Sequence, residues 1–257
     1  MGSKPLSALV VAAHPDDEVV GAAIWLHHHR HVDVHILHVT DGSPRDMQNA
    51  RDLGFSTRDE YAKARRDELR AALALVGIPD QRCLSFAFPD KEAYLHLPAL
   101  IDQMGTIVDS LNPELVFSPA YEGGHPDHDA AAFAVAAVKN RRSWFAHREY
   151  PLYHAGGDGG MVTGTFIGRS SSEEEVIALT QTDRALKRRM IDCFRTQQKI
   201  LSYFSLDCER FRDAPAYDFS EAPHSGPLLY ELWGWGISGR QWRHEAKRAC
   251  VARCASD

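Results

Sequence analysis

The chain opens on an unbroken apolar run over residues 6–13, the pattern of a strand covered on both faces. It stops at His14-Pro15-Asp16-Asp17, and from Glu18 the apolar residues Val19, Ala22, Ala23 and Leu26 recur at helical spacing as far as Arg30. A second strand spans 32–40, closed by Asp41-Gly42, and the polar stretch 43–56 reads as a loop. Thr57 with Glu60 three residues on forms a capping box for a helix running to Val76, where Gly77 and Pro79 stop it. The pattern then predicts a strand over 82–86, a helix over 98–111, a strand over 115–118, a loop to Pro126 and a helix over 127–140. Strand and helix alternating in this way specify a Rossmann-like α/β fold, with a mostly parallel sheet and helices on both faces.

The remainder is less regular. Strands are expected over 145–153 and 161–168, a short edge strand over 176–179, and a long helix over 182–204. The segment 213–239 is rich in Pro, Gly and aromatics and reads as a wrap over the sheet edge or the mouth of a site. Without an internal repeat or a long linker, residues 1–257 read as one domain, with core βα units over 1–140 and additional elements over 141–257.

Composition narrows the function. Hydrophobic residues make up 44% and charged residues 25% of the 257, which excludes a disordered or fibrous chain. The 29 Lys and Arg against 35 Asp and Glu give a net charge of −6, opposite to the basic excess of a nucleic-acid binder. No apolar run reaches the ~20 residues of a membrane span. Met1-Gly2-Ser3-Lys4 lacks the features of a signal peptide and reads as a cloning leader, so a cytoplasmic location is expected. The five scattered cysteines form no C-x-x-C pair and suggest neither a disulfide framework nor a thiolate metal site. Histidine, at 14 residues, is the unusual count.

Two histidine clusters fall at strand ends, where open parallel sheets bind ligands. One is His14-Pro15-Asp16-Asp17-Glu18 after the first strand, and the other is His125-Pro126-Asp127-His128-Asp129 after the fourth. In a 3-2-1-4-5 strand order they meet at one crevice. Each holds an i, i+3 pair of metal-ligating side chains, His14 with Asp17 and His125 with His128, and a Pro that presets a first helical turn. Three nitrogen and oxygen ligands with an open fourth position is the arrangement of a catalytic zinc site. His27-His28-His29-Arg30-His31 lies at a helix end and reads as a solvated surface run.

Ala13-His14-Pro15-Asp16-Asp17-Glu18 and Gly124-His125-Pro126-Asp127-His128 resemble the two signature motifs of the PIG-L/LmbE-like N-acetylglucosaminyl deacetylases. The likeness extends to Thr40-Asp41-Gly42 and to Arg65-x-x-Glu68 with Leu75-Val76-Gly77, about the first half of the chain. The resemblance implies zinc ligation by His14, Asp17 and His128, with Fe2+ as the other ion that suits such ligands. It implies Asp16 as the general base, His125 as the group that stabilises the oxyanion or protonates the amine, Asp127 as its orienting partner, and Arg65 as a sugar contact. The implied reaction removes an N-acetyl group from an N-acetylated sugar or glycoside, releasing acetate and the free amine. Gly123 stands where several members carry an aromatic, and residues past 140 match no member of defined substrate. That leaves room for an amidase acting on a longer N-acyl group, a thiol–sugar conjugate or a natural product.

A non-catalytic metal-binding Rossmann-like module is the alternative of another class. Against it, the first strand–helix turn lacks G-x-G-x-x-G, and Asp16 has no use in a closed structural zinc site. The aromatic set Tyr217, Phe219, Tyr230, Trp233, Trp235 and Trp242 reads either as core or as a sugar-stacking lid, and an exposed aromatic C-terminal region is compatible with a homo-oligomer.

Overall fold

The computed structural model of the protein describes residues 6–168 and 173–254; the leader Met1-Gly2-Ser3-Lys4 lies outside them. The first strands are β1 (Ser7–Ala12) and β2 (Asp33–Pro44), joined through helix α1 (Asp17–His28). After β2 come α2 (Gln48–Asp52) and α3 (Arg58–Ala74), then β3 (Cys83–Asp90), α4 (Leu97–Leu111), β4 (Leu115–Pro119), α5 (Pro126–Lys139) and β5 (Ala146–Tyr150). A hairpin of β6 (Tyr153–Ala155) and β7 (Met161–Thr163) follows, then β8 (Glu174–Ala178), α6 (Gln181–Ile191), α7 (Gln198–Leu201), β9 (Cys208–Asp213), α8 (Leu229–Leu232) and α9 (Gly239–Cys254).

The main sheet runs β3-β2-β1-β4-β5-β9-β8, parallel from β3 to β5 and antiparallel beyond it. The expected 3-2-1-4-5 order is present, and β1 and β4 are neighbours. Every residue of β1 is buried, because helices cover the sheet on both sides. Val10, Ala23, Leu69, Leu73 and Phe117 form the core on one face, and Leu9, Leu100, Met104, Val116 and Val135 that on the other. The capping box of α3 is present, with Glu60 N–H donating to Thr57 Oγ1 at 3.2 Å and Thr57 N–H to Glu60 Oε2 at 2.9 Å.

The strand expected over 145–153 divides into β5 and β6, which lie in different sheets, and three further readings needed correction. A short helix, α2, occupies the stretch read as loop. The helix expected over 182–204 ends at Ile191 and resumes only as α7. Its break turns Thr196 onto Glu68, with N–H and Oγ1 donating at 3.0 and 2.6 Å, and Gln197 Nε2 onto Tyr61 Oη at 2.7 Å. Tertiary hydrogen bonds to α3 thus replace the helical ladder. Finally, β9 was missed because Cys208-Glu-Arg-Phe-Arg-Asp carries no apolar run. Its buried Glu209 pairs with Lys187 at 2.7 Å, and its buried Arg212 with Glu149 at 2.6 Å. Ionisable side chains buried in hydrogen-bonded pairs hide a strand from a hydrophobicity pattern.

Candidate active site

The carboxyl ends of β1, β3 and β4 deliver the polar side chains to one cavity of about 420 Å³. From the β1–α1 turn come His14, Asp16 and Asp17, all of them buried. Asp16 is the N-cap of α1 at φ 139°, a conformation L-residues rarely hold. Two neighbours maintain it. Its N–H donates to Glu18 Oε2 at 3.2 Å, an oxygen that also faces His38 Nε2 at 3.0 Å. Its carboxylate accepts from Arg65 Nη2 at 2.9 Å.

Arg65 reaches the site from α3 and is 4% exposed. It also donates to Pro15 O at 2.9 Å and Gly42 O at 2.6 Å, so it ties both strand-end loops to Asp16. Gly42, at φ 67°, has no room for a Cβ, which would run into this guanidinium. Glu68, one turn on, accepts from Thr196 Oγ1 at 2.6 Å.

The β4–α5 loop supplies His125, Asp127 and His128. Gly124 permits the tight approach of this loop to Tyr153 O, where a Cβ would collide. His125 is the N-cap of α5 and Pro126 its first residue. The Asp127 N–H donates to His125 Nδ1 at 3.1 Å, whereas the Asp127 carboxylate lies 3.9 Å away. That carboxylate accepts from Lys91 N–H at 2.6 Å and Ala93 N–H at 3.0 Å. The orienting contact to His125 is therefore the Asp127 backbone amide rather than its side chain. Because an amide N–H only donates, the neutral ring carries its proton on Nε2.

Asp90, at the end of β3, is the site residue that sequence reasoning missed. Its Oδ1 stands 3.1 Å from His14 Nε2 and 3.3 Å from His125 Nε2. Register shifts along the β2–β3 pair and positive φ at Ala87 and Lys91 carry the strand end over the crevice. With Nε2 of His14 facing Asp90, its Nδ1 is left toward Asp17.

Asp17 links the two motifs. Its Oδ2 is 3.4 Å from His14 Nδ1 and its Oδ1 is 3.3 Å from His128 Nε2. Tighter groups also exist. His14, His125 and His128 offer ligand atoms within 4.8 Å of one another, as do His14, Asp90, His125 and Asp127, and neither group includes Asp17. Both ring nitrogens of His128 are buried without a hydrogen-bond partner. The donor set fits a divalent ion on that observation, since an orphaned imidazole is costly unless it ligates.

The electrostatics divide these groups. Burial pushes the Asp16 carboxyl up to about 8, against the pull of Arg65. Burial, helped by His14, holds His125 down at about 4. His14 is raised well above the usual imidazole value by Asp90, Asp127 and Asp17 against its burial, and Asp17 is lowered well below the carboxylate range by His128 and His14, likewise against burial.

The aromatic set divides as well. Trp233 and Trp235 line the cavity, Trp235 edge-on to His125 with ring centroids 4.9 Å apart. Tyr217, Phe219 and Trp242 pack instead around Tyr121, and Tyr230 is fully buried. His224 does not line the cavity. Of the histidine run, His28 and His31 are exposed, and His29 stacks on Trp25. No described helix is long and apolar enough to cross a membrane.

Comparison with known proteins addresses the family and the fold. The probable N-acetyl-alpha-D-glucosaminyl L-malate deacetylase 2 of Bacillus anthracis is 36% identical over 148 residues, 53% of this chain and 63% of that protein. Its namesake in Bacillus subtilis (strain 168) is 32% identical over 141 residues, 52% and 61% of the two chains. The chain thus spans less than two thirds of the length of either relative. Among solved structures, a deacetylase of the teicoplanin biosynthesis pathway superposes with a TM-score of 0.65 at 17% identity, covering 80% of this chain and 96% of that one. At that identity the likeness concerns the fold. The family model described as PIG-L, GlcNAc-PI de-N-acetylase, matches residues 9–139, which hold both histidine motifs, and the chain belongs to that family.

Proposed function

We propose that the protein hydrolyses the N-acetyl amide of an amino-sugar-containing small molecule, giving acetate and the free amine. The observation that carries this reading is Asp17 set between His14 and His128, with the His128 ring nitrogens buried and making no hydrogen bond, beside Asp16 and His125. The names of the Bacillus relatives support the substrate class.

We assign a zinc ion to His14, Asp17 and His128, where it would supply Lewis acidity to polarise the amide carbonyl and acidify water. Asp16 takes the proton from the attacking water. Its raised value suits proton transfer near neutrality, and Arg65 fixes the carboxylate in place. His125 is neutral and, with its proton on Nε2, donates to the carbonyl oxygen as negative charge develops there. The new C–O bond replaces the C–N bond, and Asp16 returns its proton to the departing amine. The aromatic walls Trp233 and Trp235 give a sugar ring an apolar surface to lie on.

The test is primary-amine release from N-acetylated amino sugars, free and as glycosides, by zinc-loaded protein with Asp16→Asn as the blank. Amine release confined to the wild type is expected. Silence across the panel with zinc bound would overturn the reading.

A further inference from the structure

The catalytic cavity does not end at the sugar-sized space around His14 and Asp16. A second cavity of about 710 Å³ adjoins it, and Asn49, Gln197, Ile200, Trp233 and Trp235 line both. Its own wall adds Leu53, Met161 and Tyr203, with Asp52, Thr196 and Lys199 beside them. Three of the nine large apolar side chains exposed among the described residues converge here: Leu53 at 49%, Tyr203 at 59% and Trp233 at 38%. Exposed apolar groups gathered in a concave wall beside a reaction centre mark a binding surface, whereas scattered ones do not.

The trough is built by the parts of the fold that departed from expectation. Leu53 follows α2, Ile200 belongs to α7, and Tyr203 comes just after it. The break in the long helix, fixed by Thr196 on Glu68 and Gln197 on Tyr61, turns this segment toward the site. Trp233 and Trp235 stand 5.2 Å apart between centroids. Lys91 Nζ lies 4.7 Å from the Trp235 ring, and Trp235 is itself edge-on to His125. The aromatic wall therefore runs from the proposed oxyanion donor out into the trough.

Resting on the hydrolase reading above, we propose that the substrate is an N-acylated amino sugar bearing an extended apolar appendage, and that Leu53, Ile200, Tyr203, Trp233 and Trp235 seat this appendage. A long N-acyl chain and an apolar aglycone present the same chemistry to this wall, and the experiment separates them.

Three substrates are compared by amine release: methyl N-acetylglucosaminide, octyl N-acetylglucosaminide and methyl N-octanoylglucosaminide. At least one tailed substrate is expected to exceed the tail-less one in kcat/KM by about tenfold or more, as burial of several methylenes requires. Tyr203→Ala and Leu53→Asp, both outside the catalytic cavity, should erase that advantage while leaving the tail-less rate within about twofold. The arm that shows the gain identifies the appendage as aglycone or acyl chain. Equal kcat/KM with and without tails, or an advantage that survives both variants, overturns the proposal.

Binding of octyl glucosaminide, which has no amide to cleave, is read in parallel by tryptophan fluorescence against methyl glucosaminide. Tail-dependent binding weakened about tenfold by Tyr203→Ala, without hydrolysis of any substrate, overturns the hydrolase reading and upholds the trough. Binding indifferent to the tail overturns the trough.

Discussion

Arg65 Nη2 lies 2.9 Å from Asp16 Oδ2 in a pocket where the guanidinium is 4% exposed and also holds the Pro15 and Gly42 carbonyls. Resemblance had suggested a sugar contact for this residue. Its Nη1 and Nη2 donors are directed at the protein, and Asp16 depends on them because its backbone is strained and its carboxylate buried. Lysine presents one point charge where arginine presents a fork. Arg65→Lys should therefore keep metal content and fold but lower kcat by about 10- to 100-fold with KM little changed, since a positioning loss acts on the transition state. Steady-state kinetics with metal analysis of the same preparation check it; a rise in KM at unchanged kcat would return Arg65 to substrate binding.

Asp16→Asn removes the proton acceptor and preserves shape. The Arg65 contact can persist through the amide oxygen, and no ligand nitrogen or oxygen of the proposed metal set is touched. Turnover should fall by about 10²- to 10⁴-fold with zinc retained at wild-type stoichiometry. Single-turnover amine release on zinc-quantified protein decides the matter, and near-wild-type rates would remove Asp16 from the base role.

The histidine cluster separates ligands from their supports. His128→Ala deletes a ring whose nitrogens make no hydrogen bond and whose Nε2 lies 3.3 Å from Asp17 Oδ1, so zinc affinity should fall by well over about 100-fold. Asp90→Asn leaves the ligands in place and removes the negative charge that faces both His14 and His125, keeping only an amide oxygen there. Its effect should be about 10- to 100-fold on affinity or activity. Competitive zinc titration of the two variants gives the order. An Asp90 effect exceeding that of His128 would favour the His14, Asp90, His125 and Asp127 group as the metal site.

The sequence carried the site where chemistry is local and lost it where tertiary structure decides. His14 with Asp17, and His125 with His128, are three residues apart on Pro-initiated turns, so their convergence follows from spacing and strand order. Asp90 has no such neighbour. It reaches His14 only because the β2–β3 pair shifts register and bends beyond Thr40, and no pattern around Phe86-Ala87-Phe88-Pro89 announces that. Likewise Trp233 and Trp242 look alike in sequence. One lines the catalytic cavity while the other donates its indole N–H to Pro126 O at 2.9 Å in the core. The strand β9 was concealed for the same reason that it is stable, its charged residues being buried in pairs.

That pairing yields a last prediction, away from the site. Glu149 is fully buried against Arg212 and Tyr217, with Arg212 Nε at 2.6 Å and Tyr217 Oη at 2.8 Å. Burial pushes its carboxyl up to about 7 from an ordinary 4.5, although Arg212 and Tyr217 pull it down. The folded state thus binds a proton that the unfolded chain has already released between those two values. Stability from this group is complete below about pH 4.5 and is lost as pH rises through about 7. The full loss amounts to roughly 3 kcal/mol, most of it between pH 5 and pH 8. Glu149→Gln mimics the protonated form and cannot titrate. The stability difference between wild type and variant, measured by urea unfolding from pH 5 to pH 8, should shift by most of that amount in favour of Glu149→Gln as pH rises. A difference that stays flat, or that moves toward the wild type at high pH, would mean that Glu149 is ionised against Arg212 throughout and that the pair carries its charges into the core.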